Sequence, residues 1–83
     1  MQHLEQVREI VSEVLSLPAA ALPLSPATAL LGSLPELDSM AVVSLIGALE
    51  AHFGVAFEDD EISASTFATL GSLADFVAQK VAA

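Results

Sequence analysis

All four prolines of this 83-residue chain, Pro18, Pro23, Pro26 and Pro35, fall in one window. A proline inside a helix removes a backbone donor and clashes with the preceding turn, so long helices are confined to the two flanks. The window raises a second question, because no charged residue occurs from Val14 to Pro35. An apolar run of that length is long enough to span a bilayer. A spanning segment must satisfy its own backbone, however, and repeated prolines with Ser and Thr between them break the helix that would do so. The run reads as a long loop over residues 17–37. Its leucines, Leu17, Leu22, Leu24, Leu30, Leu31 and Leu34, are expected to lie over the protein. "SPATALLG" suits one short helical turn ended by Gly32.

Helical periodicity marks both flanks. Leu4, Val7, Ile10, Val11, Val14 and Leu15 share one face, and Glu5, Glu9 and Glu13 the other. This predicts a helix over about residues 3–16. A second helix starts at Asp38 or Ser39 and ends near Gly54, with Val42, Leu45, Ile46, Leu49 and Phe53 turned to the core. Met40, Val43 and Gly47 make a second, narrower strip on that helix, which simple burial does not require. The acids of "EDDE" at 58–61 suit the start of a short third helix running to about Ser65. Thr69 can cap a last helix that carries Leu70, Leu73, Phe76, Val77 and Val81 inward. No useful strand alternation and no internal repeat occur. The expected fold is all-α: a four-helix bundle of three long helices and one short third helix, with a long loop between helices 1 and 2.

The totals bound the function. The length allows one domain, 1–83. Such a domain buries only about 60% of its unfolded surface, so its stability margin is thin. Eleven acids face two bases, Arg8 and Lys80, for a formal charge of −9. Nucleic acid and anionic membranes are poor partners for that surface, and basic protein surfaces are better ones. There is no cysteine, hence no disulfide and no thiol nucleophile; sulfur chemistry would need an imported sulfur. The opening "MQHLEQVREI" lacks the basic-then-apolar order of a signal peptide. A small domain without staples suits the cytoplasm.

The pair Asp38-Ser39 opens the second helix, and its plain reading is a helix cap. The surroundings add to it: a proline-broken loop before, Met40 after, and an acidic, cysteine-free helical chain around. In these features the sequence resembles the acyl carrier proteins, and more broadly the phosphopantetheine-carrying domains. "LDSM" (37–40) is similar to their attachment motif, "ALEAHFGV" (48–55) to the end of the second helix, and "TFATLGSLADFV" (66–77) to the turn and last helix. The likeness covers nearly the whole chain.

The resemblance implies a non-catalytic carrier whose Ser39 holds a covalent 4′-phosphopantetheine. A phosphopantetheinyl transferase would deliver the group from coenzyme A. Its thiol would carry acyl groups as thioesters for acyl-activating ligases, acyltransferases or synthases. Asp38 would present Ser39 and bind the transferase's metal. Met40, Val43 and Gly47 would form the partner interface on a cytoplasmic monomer that does not insert into membranes. Two physical points agree: a phosphate suits a helix N-terminus, and the arm's thiol would be the domain's only sulfur nucleophile.

The sequence also departs from the family. Many free-standing carriers have acids along the second helix, whereas here the outer positions are Ala41, Ser44, Gly47, Ala51 and His52, with Glu50 the one acid. This weighs against recognition by generic fatty-acid synthesis enzymes, and "PELDSMAVV" (35–43) is similar instead to dedicated carriers, serving their own ligase or transferase, of bacterial exopolysaccharide and exosortase systems. Alternatives are a peptidyl or aminoacyl carrier, and an unmodified helical interaction module in which the loop or a partner helix covers the strip. "EDDE" lacks the spaced oxygens and glycine of a calcium loop, and His3 and His52 have no metal spacing. A serine hydrolase would need a nucleophile elbow and a larger scaffold. Gly47 and Ala48 leave open whether an acyl chain enters the core.

Overall fold

Helix α1 (Leu4–Val14) starts at His3 and stops through Ser16, whose φ of 55° is left-handed. The Ser16 N–H donates to the Glu13 carbonyl (3.2 Å) and the Leu17 N–H to the Ser12 carbonyl (2.8 Å). These two bonds satisfy the last carbonyls of the helix, and Pro18 follows where the helix can no longer continue. The computed structural model describes residues 3–18, 22–30 and 38–82, apart from the side chain of Asp59. Leu31, Leu34, Gly32 and Leu37, named above, lie outside that set. Residues 25–28 form one turn, closed by the Thr28 N–H on the Ser25 carbonyl (3.2 Å).

Helix α2 (Ser39–Phe53) is closed by Gly54 at φ 67°. The N–H groups of Gly54 (2.9 Å) and Val55 (3.2 Å) both donate to the Glu50 carbonyl. Helix α3 spans Leu70–Ala82. The four amides at its start all find acceptors. Thr69 and Ser72 make a reciprocal capping box: the Ser72 N–H donates to Thr69 Oγ1 (3.0 Å) and the Thr69 N–H to Ser72 Oγ (3.1 Å). The Leu70 and Gly71 amides donate to the carbonyls of Thr28 (2.8 Å) and Pro26 (3.0 Å). With the Leu30 N–H on the Ala68 carbonyl (2.9 Å), these bonds strap the loop across the end of α3.

The fold is all-helical, and among the described residues it contains three α-helices and no strand, only an isolated bridge between Ala29 and Thr69. The expected short helix from "EDDE" to Ser65 is a correction. Only Asp59–Glu61 form a 3₁₀ turn, and residues 64–67 are turn. The Glu61 carboxylate folds back on the Glu58 N–H (2.9 Å). The Ser63 hydroxyl pairs with those of Ser65 (2.9 Å) and Thr66 (3.2 Å), and Thr66 donates to the Glu61 carbonyl (3.3 Å). Hydroxyls and a carboxylate engaged this way compete with helical backbone bonding.

Helix α1 packs on both other helices, while α2 and α3 touch each other less. Val7 and Val11 of α1, Leu45 and Leu49 of α2, and Leu70, Leu73 and Val77 of α3 are fully buried. Leu22 and Leu30 of the loop join them, and Phe57 packs edge-on against Phe76 at 5.0 Å. Truncating one such residue to alanine costs about 2–5 kcal/mol, against a total margin of roughly 5–15 kcal/mol for a typical domain. Two expected core residues face water: Leu24 (47% exposed) on the loop and Val81 (41%) in the last turn of α3.

Two predictions follow from this packing. A Cβ on Gly71 would lie 2.7 Å from both Cβ and the carbonyl oxygen of Pro26. Gly71→Ala is therefore expected to destabilise the domain by about 1–3 kcal/mol through overpacking, although the same change at an open helical site stabilises. Urea unfolding checks the sign. The Lys80 ammonium, 2.6 Å from the Glu61 carboxylate, holds that carboxyl below its usual range, helped by the Glu58 amide. A lowered folded pKa contributes stability at neutral pH that is lost as pH falls through it. In an NMR titration Lys80→Met should raise the Glu61 midpoint.

Candidate functional site

The site is built on the start of α2. Asp38 is extended (φ −95°, ψ −177°), and its Oδ1 accepts the Ala41 N–H at 2.8 Å. Its carbonyl accepts the Val42 N–H at 2.9 Å, the first bond of the helix proper. The cap thus takes the third amide of the helix. Among the described residues, the amides of Ser39 and Met40 make no hydrogen bond. Ser39 itself is exposed.

The other residues singled out in the sequence lie on the same helix. Met40 is 77% and Val43 70% exposed, and Gly47 is exposed with no atom within 4 Å of where a Cβ would stand. The described part of the loop leaves this strip uncovered, and Ser44 and Ala51 extend it without adding charge. Gly47 thus borders solvent rather than the core. Ala48 is half-buried against the core.

Glu50 has a role that residue type alone did not reveal. Its Oε2 accepts the Phe57 N–H at 2.8 Å, so the only acid of α2 is tied to the segment that returns after Gly54. The signal available was the placement of Glu50 four residues before the Gly54 stop.

The chemistry at Ser39 is that of an acceptor rather than an activated nucleophile. Both histidines belong to the far end of α2. His52 stacks edge-on to Phe53 at 4.7 Å and His3 to the same ring at 5.2 Å. Thirteen residues of helix separate Ser39 from His52, about 20 Å at 1.5 Å per residue. Neither histidine therefore stands beside the hydroxyl. No helix among them is long and apolar enough to cross a membrane.

Comparison with known proteins now adds to this geometry. The family model described as "Phosphopantetheine attachment site" matches residues 5–77. A solution NMR structure of a holo acyl carrier protein from Nitrosomonas europaea is 54% identical, covers 100% of both chains and superposes with a TM-score of 0.89. No curated protein matches significantly. The chain belongs to the acyl carrier protein family.

As a carrier of this family it holds a covalent 4′-phosphopantetheine, and a carrier works through enzyme partners. The start of α2 fits such a group. Ser39 is reachable, and the two amides that Asp38 leaves over can meet a phosphate with the positive end of the helix dipole behind them. The cap itself is testable. Asp38→Ala should cost about 1 kcal/mol and speed amide exchange in the first turn of α2, while Asp38→Asn keeps most of the stability. Equal stability of wild type and Asp38→Ala would contradict the cap.

Proposed function

We propose that Ser39 is the residue that carries the phosphopantetheine arm. The observation that supports it most is the contrast between two helix starts. The chain closes all four amides from Thr69 to Ser72 at the start of α3, whereas at α2 it leaves those of Ser39 and Met40 without partners among the described residues, beside an exposed hydroxyl. In the modification, Ser39 Oγ forms a bond to the phosphorus adjoining pantetheine in coenzyme A. The pyrophosphate bond breaks, 3′,5′-adenosine diphosphate leaves, and the hydroxyl proton passes to a base of the transferase. The arm then supplies a thiol that binds acyl groups as thioesters. On this reading Asp38 orients the helix start and faces the transferase's metal, and the exposed strip Met40, Val43 and Gly47 is the partner surface.

The 83 residues act as a single carrier domain, monomeric and cytoplasmic, loaded by a dedicated acyl-activating ligase or acyltransferase. The support for a dedicated partner is the uncharged outer side of α2, where Glu50 is bound to the backbone of Phe57. Incubation with coenzyme A and a broad-specificity phosphopantetheinyl transferase should add one phosphopantetheine by intact mass spectrometry. Ser39→Ala should take none while keeping the wild-type circular dichroism. Modification of Ser39→Ala would move the site elsewhere.

A further inference from the structure

The chain has no cysteine, and its two methionines, Met1 and Met40, hold its only sulfur. Methionine ordinarily fills gaps inside a core. Met40 does the opposite. It is the most exposed large apolar residue among those described, at 77%. Ala41 and Val42 beside it pack against the core, and Met40 does not. Its thioether is therefore open to small oxidants, and it stands next to Ser39 in the first turn of α2. A leucine would present a similar apolar volume, so what methionine adds here is an oxidisable sulfur.

We propose that Met40 is a reversible oxidation site whose sulfoxide blocks attachment of phosphopantetheine to the neighbouring Ser39. The proposal rests on Ser39 being the attachment residue and on the transferase covering the helix start around it. The oxidant is a peroxide. A lone pair on Met40 Sδ bonds to one peroxide oxygen, the O–O bond breaks, and the other oxygen leaves as water with both protons. Sulfur loses two electrons and the peroxide gains them. A sulfoxide reductase reverses the step: two thiols become a disulfide, and the sulfoxide oxygen leaves as water. Oxidation turns a flexible apolar side chain into a polar, chiral one. Beside Val43 (70% exposed), it sets a polar S–O group on a surface that the transferase must desolvate. The fold does not register the change, because Met40 supports no core contact.

The test treats the apo chain with hydrogen peroxide, removes the oxidant with catalase, and measures steady-state modification by a broad-specificity transferase with coenzyme A. Tandem mass spectrometry should place one added oxygen on Met40, at a rate close to that of a short methionine peptide. The oxidised chain should keep its thermal melt, while its KM rises about tenfold with kcat little changed. Sulfoxide reductase with dithiothreitol should restore the KM. Met40→Leu, whatever its own KM, should show no response to peroxide, although Met1 remains. Oxidation of Met40 far slower than that of the peptide overturns the site. Unchanged KM after complete oxidation of Met40 overturns the block. A lowered melt alongside the raised KM assigns the effect to the fold and overturns it too. An equal peroxide response in Met40→Leu moves the effect off Met40, with the same consequence. An untreated wild-type chain that takes no phosphopantetheine overturns the attachment reading and this one with it.

Discussion

Four amides at the start of α3 need acceptors, and the preceding loop supplies two of them from the carbonyls of Thr28 and Pro26. A long proline-broken connection has no ladder of its own, so its order must come from contacts it makes elsewhere. Those two bonds, the bond from Leu30 to Ala68, and the burial of Leu22 and Leu30 fasten it to the core. The absence of a side chain at Gly71 lets Pro26 come within bonding distance of the helix.

The two helix starts then divide the work. At α3, Thr69 and Ser72 cap each other and the loop completes the set, so that end is sealed for stability. At α2, Asp38 takes the Ala41 amide, and those of Ser39 and Met40 have no partner among the described residues. Partial charge there attracts an anion without help from a lysine or arginine. This matters in a chain with a formal charge of −9, whose general field would otherwise repel phosphate. The domain carries its reactive sulfur on the bound group, having no cysteine of its own.

Much of this was legible from residue order. The apolar faces of α1 and α2, the Gly54 stop and the Thr69 cap follow from helical periodicity and capping chemistry, which are local. The Asp38 cap and the exposed position of Ser39 were legible because cap, hydroxyl and following apolar residue are adjacent in the chain. Three features were not. The turn at 59–67 depends on hydroxyls of Ser63, Ser65 and Thr66 choosing each other over a helix. The clamp of Pro26 on Gly71 joins residues far apart in sequence. The capture of the Phe57 amide by Glu50 needs a reversal of the chain after Gly54. The first is a choice between competing local hydrogen bonds, and the other two are contacts between segments that periodicity does not report.

The central claim is that the arm is attached at one oxygen, at the open end of α2. Tandem mass spectrometry of the holo protein, with fragments read on either side of each serine, tests it most directly. The account predicts that every fragment retaining phosphopantetheine contains Ser39, and that those with Ser44 but not Ser39 carry none. Phosphopantetheine on a fragment lacking Ser39 would contradict it.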